Sequence, residues 1–383
     1  MDQFQLDQWH MDRALGLAVR GQGAVEPNPM VGCIVARGAE LIAEGYHRYF
    51  GGPHAEVEAL QMAGPRAKGA TLYVTLEPCC HWGKTPPCTE AIIAAGIRRV
   101  VLACVDPFPE VAGQGINQLR SAGIEVVVGV REREARKLLA PYLKWVTLGR
   151  PWILAKWAMT LDGKLATIKR SSRWISSSQS REIVHRLRGR VDAILIGRQS
   201  AEYDDPLLLA EPPGPRTAVR VVLASRGELS LESRLVQSVH KAPVWVAVSE
   251  EARDEQLRRL EQAGCVVLCC AGQSFHERLS WLLNELGRRQ FTNVLVEGGA
   301  RVFGTFFDLQ EVDEVHVFVA PKLFGGESAL SPIAGVGVHH PVEAFMLEAP
   351  EIRIIGEDVY IQGHIRYKGE RTFGPGLGRR TTS

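Results

Sequence analysis

Apolar residues fall at helical spacing from Asp7 to Arg20, where Met11, Ala14, Leu15 and Ala18 share a face. The spacing predicts an opening amphipathic helix that ends at Gly21-Gln22-Gly23. After the loop Pro27-Asn28-Pro29 the pattern changes. Two apolar runs, Val31 to Ala36 and Leu41 to Tyr46, flank Arg37-Gly38-Ala39-Glu40 and predict a β-hairpin. His54 then opens a helix that closes near Gly64, and Thr71 to Leu76 is a β-branched strand. Helix, strand, helix and strand follow through Ala91, Val100, Leu119 and Val126. The sum is an α/β layer fold with His54 and Cys79 at element ends, where loops commonly carry chemistry.

A charged-face helix from Arg131 to Leu148 runs into Gly149-Arg150-Pro151, and this punctuation sets a domain boundary after residue 149. Beyond it the apolar runs Asp192 to Gly197, Val219 to Ala224, Val244 to Val248, Val266 to Cys269 and Val294 to Glu297 read as strands. Amphipathic segments lie between the later ones, at Glu250 to Ala263 and Phe275 to Arg288, which implies a mostly parallel sheet covered by helices. Val312 to Ala320 and Asp358 to Tyr367 are further strands. Residues 150–368 make the second domain, and the Gly- and Arg-rich stretch 369–383 is expected to be disordered.

Length agrees with two domains, because 383 residues exceed what one core usually holds. Charge narrows the partners: 45 basic residues against 43 acidic ones leave no basic footprint for nucleic acid. No apolar run reaches membrane-spanning length, and the first residues lack the charged start and apolar segment of a signal peptide. Eight irregularly placed Cys fit a reducing cytoplasm better than a disulfide framework.

The chemistry concentrates in His54-Ala55-Glu56 and in the stretch from Glu77-Pro78-Cys79 to Pro86-Pro87-Cys88. A catalytic zinc takes three ligands from His and Cys and leaves a fourth position to water, whose pKa it lowers. His54, Cys79 and Cys88 supply three. Glu56, two residues past the His in a helix first turn, can shuttle the water's proton without being a ligand. Pro precedes both Cys, and each Cys is expected to open a helix, whose N-terminus favours thiolate. His-x-Glu followed by Pro-Cys and a second Cys is the zinc-deaminase pattern, here with eight residues between the two Cys. A closed structural site with Cys80 or His81 as fourth ligand, or plain core thiols, are the alternatives. Asn28 between two prolines is either an Asx turn or a hydrogen-bonding group for a substrate edge. His47 is a candidate of the same kind, and Lys84 would set a cation before whatever enters the zinc pocket. In the second domain, Glu297-Gly298-Gly299-Ala300 at a strand–helix junction is either a tight connection or a backbone cradle for phosphate.

These residues resemble the bifunctional riboflavin-biosynthesis deaminase/reductase family over nearly the whole chain. The motifs are Pro27-Asn28-Pro29-Met30-Val31-Gly32, His54-Ala55-Glu56-Val57, Thr75-Leu76-Glu77-Pro78-Cys79 through Lys84-Thr85-Pro86-Pro87-Cys88, and Asp106-Pro107 with Val111-Ala112-Gly113. The resemblance implies a cytidine-deaminase-like α/β/α domain that removes the 2-amino group of 2,5-diamino-6-ribosylamino-4(3H)-pyrimidinone 5′-phosphate. Asn28, His47 and Lys84 match its substrate contacts. Thr160-Leu161-Asp162-Gly163-Lys164, Ser172-Arg173-Trp174-Ile175-Ser176, Asp204-Asp205-Pro206, Glu297-Gly298-Gly299 and Pro321-Lys322-Leu323 match a reductase with a dihydrofolate-reductase-like α/β fold. That implies NADPH-dependent opening of the ribose to ribityl. By the same match Ala158, Trp174, Ser200, Asp204, Ser225, Gly298 and Gly299 line NADPH, and Ser172, Arg188, Leu208 and Glu297 face substrate. It also implies a homo-oligomer through the second domain.

The chain departs from the family in places. Thr160, Ser176 and Ser200 exchange one hydroxyl for another. Leu209 and Glu211 stand where the family has a Thr and a phosphate-gripping Arg, and an acid there repels a phosphate. The phosphate contact then comes from Arg216 or Arg220, or the reductase is impaired and the chain is a deaminase alone. A deaminase of another base is a further alternative.

Overall fold

The computed structural model describes residues 1–367, and the expected disordered tail, 369–383, lies outside the described residues. The chain separates into two compact units, one formed by Met1–Gly149 and the other beginning at Arg150. Among the described residues no helix is long and apolar enough to cross a membrane.

The first unit runs α1 (Gln3–Ala18), β1 (Gly32–Arg37), β2 (Glu40–Tyr46), α2 (Ala55–Ala63), β3 (Thr71–Val74), α3 (Cys88–Ala94), β4 (Arg99–Leu102), α4 (Gln114–Ser121), β5 (Glu125–Val128) and α5 (Glu132–Leu148). Its sheet has the order β2-β1-β3-β4-β5, with β1 antiparallel to both neighbours and β3, β4 and β5 parallel. The opening helix starts four residues before the predicted Asp7. Asp2 caps it by accepting the Gln5 N–H at 2.8 Å, and the Gln5 side chain returns the bond, a capping box that apolar spacing alone cannot reveal. Two glycines bring the helices down onto the sheet. A Cβ on Gly32 would meet the Ala14 carbonyl at 2.0 Å, and one on Gly45 would meet the Ala55 carbonyl at 2.6 Å. The second approach matters most, since it pins the first turn of α2, with Glu56, against β2.

The second unit runs β6 (Trp152–Thr160), α6 (Ser178–Arg188), β7 (Ala193–Gly197), α7 (Arg198–Asp204), β8 (Val219–Leu223), α8 (Arg234–Gln237), β9 (Val244–Val248), α9 (Asp254–Gln262), β10 (Val266–Cys269), α10 (Phe275–Arg288), β11 (Asn293–Val296), α11 (Ala300–Asp308), β12 (Glu314–Ala320), β13 (Met346–Ile355) and β14 (Asp358–Arg366). The sheet order is β10-β9-β8-β7-β11-β6-β12-β14-β13, parallel as far as β12 and antiparallel at the last two strands. Every residue of β7 is buried, which is why it reads as an unbroken apolar run. The edge strand β13 gives no such pattern: it is largely exposed, contains Pro350 and shifts register between Glu348 and Glu351.

Candidate active sites

In the first unit, α2, the loop after β3 and the start of α3 converge. His54 is the N-cap of α2, and its Nδ1 lies 3.5 Å from Cys79 Sγ and 3.3 Å from Cys88 Sγ. Two donors on one tetrahedral zinc, at roughly 2.0 Å and 2.3 Å from the ion, stand about 3.5 Å apart, so the spacing fits that metal. All three donor atoms lie within 4.8 Å of one another. The other imidazole nitrogen, Nε2, is 3.5 Å from Thr85 Oγ1. Cys88 opens α3 as expected, but Cys79 opens no helix: residues 75–87 are irregular. Its thiolate is favoured instead by neighbours. Hydrogen bonds from the Cys88 S–H and from the His54 ring N–H hold the Cys79 thiol well below its ordinary value against its burial, while the same contact and burial push Cys88 up. Cys80 turns its S–H to the Glu110 carbonyl and His81 Nε2 sits 3.8 Å from the Glu110 carboxylate, so neither joins the three donors.

Glu56 is buried in the first turn of α2. Burial raises its carboxyl to about 7, against the lowering pull of His54. A carboxyl titrating near neutrality can both take and return a proton.

Asn28 makes no Asx turn with its side chain, whose amide donates to His47 Nε2 at 3.1 Å. The Pro53 carbonyl takes the Nδ1–H of His47 at 2.9 Å, which leaves Nε2 as the acceptor. Burial lowers the pKa of His47, and its ring centroid is 5.3 Å from that of His54. Asn28 and His47 therefore border the ligand set. Lys84 is exposed, with Nζ 3.7 Å from the centre of the Phe50 ring.

The sequence did not assign a task to Glu77. Its buried carboxylate accepts the N–H groups of Asp106 at 3.3 Å, Gly113 at 3.0 Å and Ile116 at 3.1 Å, so it ties the Cys79 loop to the start of α4. Thr89 adds a bond from its N–H to the Cys79 carbonyl at 3.2 Å. The Thr-Leu-Glu-Pro-Cys run was the available sign.

The second unit holds a cavity of about 820 Å³. Its lining brings together Ala158, Ser172, Trp174, Arg188, Ser200, Asp204, Leu208, Glu297, Gly298 and Gly299. Ser225 is not among them. It lies just past β8, where its carbonyl accepts both the N–H and the hydroxyl of Ser249 at 2.8 Å. Glu297 is the electrostatic centre: Arg188 grips both its oxygens, at 2.5 and 2.9 Å, and Lys156 Nζ stands 3.6 Å away. Burial alone would raise Glu297, but the two cations outweigh it and hold the carboxyl at about 2. Ser172 donates to Asp204 at 2.5 Å. Gly298 has φ 138°, which disfavours any side chain, and Gly299 is the N-cap of α11. Leu208, buried, holds the left-handed φ of 53° on the cavity wall.

Neither expected substitute for the missing phosphate-gripping Arg reaches the cavity. Arg216 pairs with Asp192, and Arg220 spends its guanidinium on Ser238 and on the Leu207 and Ala242 carbonyls.

Comparison with known proteins agrees with this division. A family model described as the cytidine and deoxycytidylate deaminase zinc-binding region matches residues 4–104, and one described as the RibD C-terminal domain matches residues 151–361. The riboflavin biosynthesis protein RibD of Aquifex aeolicus is 41% identical over 93% of this chain and 98% of its own. The Escherichia coli RibD is 38% identical over 92% of this chain and 98% of its own. Among solved structures, Acinetobacter baumannii RibD matches with a TM-score of 0.84 at 34% identity, covering 95% of this chain and 100% of that one. The diaminohydroxyphosphoribosylaminopyrimidine deaminase/5-amino-6-(5-phosphoribosylamino)uracil reductase of Thermotoga maritima matches with a TM-score of 0.81 at 36% identity, covering 95% and 99%.

Proposed function

The chain belongs to the RibD family of bifunctional riboflavin-biosynthesis enzymes, a zinc-binding deaminase joined to a reductase, and from that premise we propose how its residues divide the work. The first unit deaminates 2,5-diamino-6-ribosylamino-4(3H)-pyrimidinone 5′-phosphate by hydrolysis. His54, Cys79 and Cys88 hold the zinc, whose chemistry there is Lewis-acid activation of water. Glu56 takes a proton from the attacking water and hands it to the ring nitrogen. It then carries the proton of the new hydroxyl to the departing amine, so the C–N bond breaks, ammonia leaves and the water oxygen stays on the ring as the carbonyl. Asn28 and His47 hydrogen-bond the substrate's polar edge, and Lys84 places a cation at the mouth. The convergence of three donors beside a carboxyl tuned to about 7 carries this reading.

The second unit reduces the ribosyl group of the deaminated product to ribityl. NADPH supplies the hydride, and the protein supplies position and charge. Ala158, Trp174, Ser200, Asp204 and the Gly298–Gly299 turn line the cofactor, with the turn offering backbone N–H groups to its phosphates. Ser172, Arg188, Leu208 and Glu297 face the sugar, Glu297 acting by fixing Arg188 and Lys156. By the family match Ser225, just past β8, belongs to the cofactor set as well. The exposed apolar side chains Met346, Ile352 and Ile354 on β13 support assembly into a homo-oligomer through this unit. Eight free thiols, two of them metal ligands, favour the cytoplasm.

The test is to incubate the purified chain with the diaminopyrimidine phosphate, with and without NADPH, and to identify both products. Ammonia and the aminouracil should form without NADPH, and the ribityl compound only with it. Zinc binding without ammonia release would refute the deaminase assignment, and ammonia release without NADPH oxidation would refute the reductase assignment.

A further inference from the structure

The cavity of the second unit carries more positive charge than its own acids neutralise. Lys156 and Arg188 are committed to Glu297, and Arg181 donates to the Ser176 carbonyl at 2.9 Å while lying over the Trp174 ring. Arg234 and Lys241 line the same cavity, and among the described residues neither side chain has a hydrogen-bond or ion-pair partner. Of the other lining acids, Asp204 accepts from the Ser172 hydroxyl, and among the described residues the Glu211 side chain has no ion-pair partner.

Behind them stands Arg220, with 0% of its surface exposed and, among the described residues, no carboxylate paired with it. It donates to the Leu207 carbonyl at 3.1 Å, to Ser238 Oγ at 2.7 Å, and to the Ser238 and Ala242 carbonyls at 2.8 and 2.5 Å, while its Nε is buried without a partner. Carbonyls satisfy the N–H groups of a buried guanidinium but leave its net charge uncompensated. The same bonds brace Leu207, on the cavity wall, against the turn that bears Arg234 and Lys241. Asp205 fixes that turn from the other side by accepting the Arg234 N–H at 2.8 Å.

We infer that Arg234 and Lys241, backed by Arg220, form a subsite for a phosphate monoester. Arg234 and Lys241 bring two positive charges to one wall of the cavity, which suits a dianion. The inference rests on the reductase reading above and accounts for how a chain with an acid at 211 keeps a phosphorylated ligand. Two ligands of that reading present such a group: the 5′-phosphate of the phosphoribosyl substrate and the 2′-phosphate of NADPH.

The experiment compares the full chain with R234E/K241E and with the milder R234A/K241A. For each, KM is measured for 5-amino-6-(5-phosphoribosylamino)uracil and its dephosphorylated counterpart, and for NADPH against NADH. Calorimetric titrations with ribose 5-phosphate against ribose, and with NADP+ against NAD+, need no turnover. The subsite predicts that one phosphorylated ligand loses at least about tenfold in the alanine pair and more on charge reversal. Its unphosphorylated partner stays unchanged, which also reports an intact fold, and the pair that changes identifies the source of the phosphate. Wild-type ratios in both pairs would overturn the subsite. A wild-type chain that fails to oxidise NADPH would refute the reductase reading separately, because the titrations still decide whether the cations bind phosphate.

Discussion

The two sites of this chain are built on opposite plans. The proposed zinc site draws on two short stretches, residues 54–56 and 79–88, whose three donors close to within 4.8 Å. The reductase cavity gathers side chains from as far apart as Lys156 and Glu297, and what they share is charge and backbone shape. A metal cage accepts few donor types at fixed distances, so its residues have no substitutes. A cavity that gathers its cations from several segments has no such fixed set, so under the proposed reading an acid at 211 need not end its work.

Substitutions should separate the plans, beginning with the largest effect. Glu56→Gln keeps the shape of the side chain and removes the proton shuttle. Ammonia release should fall about 1,000-fold, with zinc content and NADPH oxidation on supplied aminouracil unchanged. An equal loss of zinc would instead make Glu56 part of the cage.

Glu297→Gln should injure only the second unit. It leaves Arg188 and Lys156 buried without their counter-charge, at a cost on the order of 3–5 kcal/mol, read as lost hydrogen-exchange protection around β11 while ammonia release persists. The pH dependence has a definite sign. The folded-state pKa of Glu297, about 2, lies below the ordinary 4.5, so its stabilisation is full above pH 4.5 and is lost as pH falls through about 2. An acid titration of stability should show that component in the wild type and not in the variant.

Lys84→Ala should raise the deaminase KM by roughly tenfold and change kcat little, as expected for loss of one charged contact at the mouth. A fall in kcat at constant KM would place Lys84 in the chemistry instead. Smallest of the four, Ser177→Ala removes the N-cap of α6, whose hydroxyl accepts the Ser180 N–H at 3.3 Å. About 1 kcal/mol of local stability should be lost, with the second unit's exchange rates changed and the first unit's not.

The same contrast decided what the sequence could reveal. The convergence of His54, Cys79 and Cys88, with Glu56 in the first turn of α2, was legible because metal-ligand spacing and residue type can be read directly along the chain. The buried strand β7 was legible because burial on both faces writes an apolar run. Asn28 was ambiguous: its bond to His47 joins residues 19 apart, and no local pattern encodes it. The commitments of Arg216 and Arg220 were invisible for the same reason, and so was Ser225's place outside the cavity. β13 was missed because an exposed edge needs no apolar periodicity. Cys79, preceded by Pro, was expected to open a helix, whereas hydrogen bonds in an irregular loop set its position.

One imidazole and two thiolates are proposed to share a single zinc ion. X-ray absorption at the zinc edge of the purified chain tests it most directly. The expected spectrum shows one zinc per chain with two sulfurs at roughly 2.3 Å and nitrogen or oxygen neighbours at roughly 2.0 Å. A shell of four sulfurs, or a chain that takes up no zinc, would contradict it.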